Sequence, residues 1–368
     1  MPRNMIESNS GLFARLAVAA GDSITAEVRN QRRAVRTNNI EKDWLQRMTL
    51  TTSPHLRLDA TSRFAMARFV DDLYLVAIAV EIDEPPAELE RIALNAGMFT
   101  AIVCDLDVPI VRSSDLPGRL LEYVFYPVEQ GVELIDMEIV APFFQRIELF
   151  RIEPGSAMAA DSELGIRAAI AAVLRAPSMR PLDWSSDALD RFGYMARDPI
   201  ERAPFHLLLR ALTESRDDAA FLALYRCIEQ LFPIPAMGSL STELGLSRPA
   251  LEVAAAIERH LGWRRREDDA IAGLFADLDD ALIDRMIVVV GAAAQDQNRF
   301  RAVSKRIYEV RNQCVHFRPV HATGEPSVVG DWPSLTELML EAVQVLYARY
   351  QGAFAIATQE PAVACVTT

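Results

Sequence analysis

The sequence predicts an α+β protein: an N-terminal mixed α/β domain followed by a C-terminal all-α helical bundle. Three observations lead there. Between His55 and Glu153 the apolar residues recur at period two and in short β-branched runs punctuated by Pro and Gly. After Ile200 the period lengthens to that of amphipathic helices and keeps it to the region of Ala355. Between these stretches Pro177, Pro181 and Pro199 interrupt a polar segment, as in a connector. A chain of 368 residues is long for one domain at about 150 residues each.

In chain order, residues 1–50 are expected as an N-terminal helical arm, with a mildly apolar run Leu12 to Ala20 and a segment Arg29 to Arg36 that holds four arginines and no acid. Such a segment lies on a partner, touches nucleic acid, or is simply a solvated helix face. Residues 51–155 are expected as the mixed domain, for recognition or regulation. Phe69 to Ile82 ends in a strand, and Pro85-Pro86 opens a helix over Ala87 to Ala96 that Gly97 stops. Phe99 to Val111, Leu120 to Val128, Val132 to Val140 and Phe143 to Ile152 supply four more strands, with a hairpin turn at Gln130-Gly131. No glycine-rich phosphate loop is present. Asp105 and Asp107 follow the run Ala101-Ile102-Val103-Cys104 of one of these strands, a place where paired carboxylates can hold a metal, but no His or third acid accompanies them and ordinary loop acids are the simpler reading.

Residues 156–199 form the connector, with an Ala-rich helix from Ser162 to Arg175. Residues 200–356 carry helices at Ile200 to Glu214, Ala219 to Phe232, Arg248 to His260, Asp268 to Asp277, Asp279 to Val290, Gln297 to Phe317 and Ser334 to Ala355. Ile234 to Ser247, broken by Pro and Gly, reads as an insertion or loop. Residues 357–368 read as a flexible tail.

Composition narrows the function. The formal charge of −13 argues against a protein that grips nucleic acid over its whole surface. A basic island nevertheless runs from Arg299 to His321, with six Arg or Lys and the single acid Glu309. Cys104, Cys227, Cys314 and Cys365 are scattered without the spacing of a zinc site or a disulfide framework, so no metal and no cofactor are expected. Met1 to Ser23 lacks the apolar core of a secretory leader, and the longest uncharged apolar run, Met286 to Ala294, is too short to span a bilayer. A cytoplasmic protein without membrane contact is expected.

The chemistry concentrates on the helix from Arg299 to Pro319. At about 100° per residue, Val303, Ile307, Val310, Cys314 and Phe317 fall on one seam, and Arg301, Lys305, Asn312 and His316 lie opposite. Arg311 stands at the rim, in the run Arg311-Asn312-Gln313-Cys314-Val315-His316. This run, with the apolar approach Ile307-Tyr308-Glu309-Val310 and the earlier helix Ala219 to Phe232, resembles the Arg-polar-x-x-x-His signature of the HEPN superfamily, helical domains found in many prokaryotic toxin and phage-defence ribonucleases. The resemblance covers residues 200–355, a little under half the chain.

The resemblance implies a metal-independent endoribonuclease that leaves a 2′,3′-cyclic phosphate, and a homodimer through the Arg311–His316 helix whose two motifs face one shared cleft. It also implies a regulated toxin or anti-phage effector, with a trigger protein or ligand bound by the N-terminal domain. The residue types suit that chemistry. A histidine exchanges protons near neutral pH, so His316 is the expected acid or base. A guanidinium stays charged and offers fixed donors to a crowded phosphate, so Arg311 is the expected stabiliser, with Asn312 holding the imidazole or a substrate oxygen. Lys305, Arg301, Arg318 and Tyr308 are the expected RNA contacts. Tyr225 and Glu229 share a face of the earlier helix, where matching domains sometimes carry a polar residue near the cleft. His260, before Trp263-Arg264-Arg265-Arg266, is a lesser candidate for RNA contact. The alternative is a non-catalytic HEPN-like module that binds a nucleotide or a partner protein in a larger defence or toxin–antitoxin complex.

Overall fold

A computed structural model describes residues 3–51, 56–126, 131–160, 163–198, 203–246, 248–262, 266–292, 299–315 and 329–354. The architecture is α+β with a helical C-terminal region, and the chain divides into two compact units, Met1–Met179 and Arg180–Thr368.

The first unit begins with α1 (Met5–Ala20), whose start is capped by the Asn4 side chain accepting from the Ile6 amide. Leu12, Phe13 and Leu16 on α1 are buried in the core of this unit, so residues 1–50 form part of it and are not a separate arm. α2 (Ala26–Asn30) leads into β1 (Arg32–Val35), and a reciprocal capping box between Asn38 and Glu41 starts α3 (Asn39–Arg47). β2 (Thr49–Thr51), β3 (Arg63–Phe69) and β4 (Asp72–Ile78) form an antiparallel meander. β5 (Leu89–Ile92) stands where a helix is expected over Ala87 to Ala96. Pairing with a neighbouring strand overrides the local helical pattern here, and Pro86 keeps its predecessor extended.

The next element reverses another expectation. α4 (Ala96–Asp105) replaces the strand expected over Phe99 to Val111. Every residue from Ala96 to Val103 is buried, so the run has no polar face, and a continuous apolar run does not distinguish a strand from a buried helix. Asn95 caps α4 by accepting from the Met98 amide. Gly97, expected as a helix stop, instead lies in the first turn, where α3 passes so close that a Cβ would meet the Glu41 carbonyl oxygen at 1.8 Å.

α5 (Leu116–Tyr123) replaces the strand expected over Leu120 to Val128. β6 (Val132–Ile135) pairs in parallel with β1, so a hairpin at Gln130-Gly131 is not its origin; Gln130 itself lies outside the described residues. α6 (Met137–Val140) takes the end of the strand expected to reach Val140, and β7 (Ile147–Ile152) follows. The main sheet runs in the order β2-β3-β4-β7-β5, every neighbour antiparallel. Ala65, Ala67, Tyr74, Val76, Ile78 and Leu149 share one core with the helices, and the alternate residues Phe64, Met66, Leu75 and Phe150 are buried on the other face. α7 (Glu163–Val173) packs on β3.

The second unit is helical among its described residues. α8 (Ser186–Ala196) occupies the stretch expected as connector; Ser185 caps it, and the Phe192 ring stacks on Phe205 at 5.6 Å. Then come α9 (Phe205–Thr213), α10 (Asp217–Glu229), α11 (Ile234–Glu243), α12 (Ala250–Leu261), α13 (Glu267–Phe275), α14 (Asp280–Val290), α15 (Arg299–Val315) and α16 (Trp332–Arg349). α11 replaces the loop expected over Ile234 to Ser247; its proline falls in the first turn, where no amide partner is lost. α10 is central, packed on α9, α15 and α16, and the Tyr347 hydroxyl donates to the Cys227 carbonyl at 2.9 Å across the α16 contact.

Candidate functional site

α15 lies against α13, α14 and α10. Val303, Ile307 and Val310 are buried as expected; Cys314 is half-buried, and Phe317 lies outside the described residues. Burial also raises the Cys314 thiol to about 11, with the Asp218 carboxylate adding to it.

The basic residues of this helix divide into two groups. Arg299 pairs with Asp284, and Arg306 donates from Nε to the Val290 carbonyl at the end of α14 (3.2 Å) and from Nη1 to Glu309 (3.0 Å). These two serve packing. Arg301 and Lys305 are exposed and, among the described residues, have no ion-pair partner. At 1.5 Å rise per residue Arg301 stands roughly 15 Å from Arg311 along the helix. No single phosphate reaches both.

Arg311 is the centre of the cluster. Its side chain is 19% exposed, and its guanidinium donates from Nη1 to Asn312 Oδ1 (3.0 Å) and from Nη2 to Glu229 Oε1 (3.3 Å). Glu267 Oε2 lies 3.7 Å from the same Nη2, and the guanidinium carbon stands 5.9 Å from the centre of the Tyr225 ring. α10 thus contributes Tyr225 and Glu229 one helical turn apart, α13 contributes Glu267 from its first turn, and α15 contributes Arg311 and Asn312. Tyr225 is buried between Phe221 and Phe232, and its hydroxyl has no hydrogen-bond partner among the described residues. Burial pushes that hydroxyl's pKa up, and Glu229 and Glu267 push the same way, against the opposing pull of Arg311; Tyr308 adds a smaller upward push.

The structure therefore brings together Arg311, Asn312 and Glu229, with Tyr225 beside them. It keeps Arg301 and Lys305 on the open face of the same helix, with Tyr308 half-buried. His316 and Arg318 lie outside the described residues, as does His321. Glu267 is the residue that sequence reasoning missed. An acid in the first turn of a helix, followed here by Asp268 and Asp269, is explained by the helix dipole alone, and nothing in the linear sequence aims it at Arg311. His260 is exposed in the last turn of α12; Trp263 to Arg265 lie outside the described residues, and Arg266 pairs with Asp268 at 3.0 Å.

Elsewhere the sequence candidates are occupied. Asp105 ends α4, a helix and not the expected strand, and pairs with Arg3; Asp107 pairs with Arg15 at 3.0 Å. Among the described residues no group of three or more His, Cys, Asp or Glu is placed to hold a metal. In the segment Arg29 to Arg36, Arg33 is buried and Arg36 pairs with Asp136 at 2.7 Å. No helix of the described residues is long and apolar enough to cross a membrane. Comparison with protein-family models, curated proteins and solved structures finds no match to this chain.

Proposed function

We propose that the helical unit is a HEPN-type, metal-independent endoribonuclease, acting in the cytoplasm as a regulated toxin or anti-phage effector. The observation that carries this reading is the Arg311 cluster: a guanidinium fixed by Asn312 and Glu229 at the end of α15, with the exposed cations Arg301 and Lys305 along the same helix. Cleavage through the ribose 2′-hydroxyl needs a proton acceptor, a proton donor for the leaving 5′-oxygen, and cationic donors around the phosphate. In this reading Arg311 faces the developing phosphorane charge and His316 carries the proton. The 2′-oxygen forms a bond to phosphorus as the P–O5′ bond breaks, leaving a 2′,3′-cyclic phosphate, and a homodimer through α15 supplies the second acid–base group.

One observation favours the second reading, a non-catalytic module for a nucleotide or a partner protein. Glu229 and Glu267 together outweigh the charge of Arg311, so a phosphate must displace at least one carboxylate to reach Nη2. Expression of wild type, Arg311→Ala and His316→Ala in bacteria, with total RNA analysed in EDTA for cyclic-phosphate ends, separates the two. Growth arrest and cut RNA from wild type alone are the expected result. Intact RNA from wild type under every condition, including deletion of the N-terminal unit, transfers the site to the binding reading.

A further inference from the structure

The first unit carries a groove of about 710 Å³ between α1 and the segment Arg29 to Ala34. Its floor is apolar, made by Phe13, Ala17 and Phe125. Arg29 and Arg32 line its edge, and no acid lines it among the described residues, in a chain of net charge −13. Arg29 donates one Nη2 hydrogen bond to the Gly21 carbonyl at 2.9 Å, and Arg32 has no ion-pair partner among the described residues.

The wall of this groove is preformed. Arg33 is buried and lies 5.1 Å from the centre of the Phe125 ring. It donates to the carbonyls of Val28 (2.8 Å), Gln31 (3.2 Å), Val124 (2.8 Å) and Tyr126 (3.0 Å). Those bonds clamp the 28–31 turn to the end of α5, so neither side of the groove can collapse onto α1 without losing them. Asn9 fixes the other side, accepting from the Val35 amide at 2.8 Å and donating to the Met5 carbonyl at 2.9 Å.

An apolar floor, a cationic edge and a volume within the range of small-molecule sites specify the occupant's chemistry. We propose that this groove binds an amphipathic carboxylate: an apolar body lying on Phe13 and Phe125, with its head group on Arg29 and Arg32. Guanidinium donors suit a carboxylate, and among the described residues no lining acid is placed to hold a cationic head. The site is independent of the ribonuclease reading and places a small-molecule effector on the first unit.

The test is isothermal titration of the full chain with decanoate, beside 1-decanol as a body without charge and acetate as a head without body. Saturable one-to-one binding of decanoate, with weaker binding of decanol and none of acetate, is expected. The double substitution Arg29→Gln/Arg32→Gln weakens decanoate about tenfold and leaves decanol unchanged, since two partly exposed charge contacts together are worth on the order of one decade in affinity. Ala14→Trp, which fills the groove from the exposed side of α1, removes binding of both, with Ser10→Trp as the second variant should the first lose its cooperative melting transition. Undetectable decanoate binding, decanol binding as tight as decanoate, or decanoate binding unchanged in the tryptophan variants each overturns the proposal.

Discussion

Two arginine-rich segments, Arg29 to Arg36 in the first unit and Arg299 to Arg311 in the second, look alike as strings of charge, yet their most enclosed clusters, at Arg33 and at Arg311, are used differently. In the first, Arg33 is turned inward and held by four backbone carbonyls and the Gln31 side-chain oxygen, a structural staple. Arg15 in α1 is held partly in the same way, donating to the Val103 carbonyl (2.8 Å) and the Val108 carbonyl beyond the end of α4 while also pairing with Asp107. In the second, Arg311 meets carboxylates at the rim while Arg301 and Lys305 remain in solvent. A guanidinium whose donors end on carbonyls adds rigidity and offers nothing to a ligand. One with open donors offers recognition and little stability. Charge in the sequence does not separate the two; the location of the nearest acceptors does.

Breaking that contrast at its strongest point gives an effect as large as any. Arg33→Ala should lose about 3 kcal/mol, because the buried Val124 carbonyl and three partly buried carbonyls lose their donor at once, each costing on the order of 1 kcal/mol or less. Denaturant unfolding followed in the first unit measures this, and a loss below about 1 kcal/mol would mean that water replaces the guanidinium at little cost.

The close approach of α3 to α4 is the next test. Gly97→Ala forces backbone apart and should cost about 3 kcal/mol. The control Gly118→Ala in α5, where an added Cβ meets nothing within 4 Å, should gain about 0.5 to 1 kcal/mol. Equal urea midpoints for the two variants would remove the packing argument.

The β3–β4 hairpin holds Val70 at φ 57°, a left-handed conformation that a β-branched residue adopts only with strain. Val70→Gly should raise stability by about 1 kcal/mol, visible as a higher melting temperature, since the relieved strain exceeds the extra entropy of the unfolded chain.

The smallest expected stability effect sharpens the functional side. Arg301→Gln with Lys305→Gln should alter stability by less than about 0.5 kcal/mol. If α15 follows an RNA strand, the same pair lowers the slope of log affinity against log salt by about 0.7 per cation removed. An unchanged slope would take the open face of α15 out of RNA recognition while leaving the fold of the second unit intact.

Much of the second unit was legible in advance. α9, α10, α13, α14 and α15 lie within about five residues of their expected limits, because most have one apolar and one polar face and several have clear starts, such as Asp279 accepting from the Leu282 amide. α4 took the place of an expected strand because burial on all sides erases the period that distinguishes helix from strand, and β5 took the place of an expected helix through its pairing with β7. At the candidate site, Arg311 and Asn312 were singled out by the resemblance of their run to the HEPN signature, and Tyr225 and Glu229 by the helix face they share. Glu267 was not, since its approach to Arg311 depends on how α13 packs against α15.

The sequence by itself determined the helical periods of the second unit, the buried seam Val303, Ile307 and Val310, and the side of α15 that remains open, because these follow from where apolar groups escape water along one helix. Only the tertiary structure decided which arginines are spent on carbonyls, that Glu229 and Glu267 converge on Arg311, and that α1 and β1 enclose a groove. Those outcomes depend on contacts between groups far apart in the chain, and no local pattern encodes the distance between a donor and an acceptor that folding alone brings together.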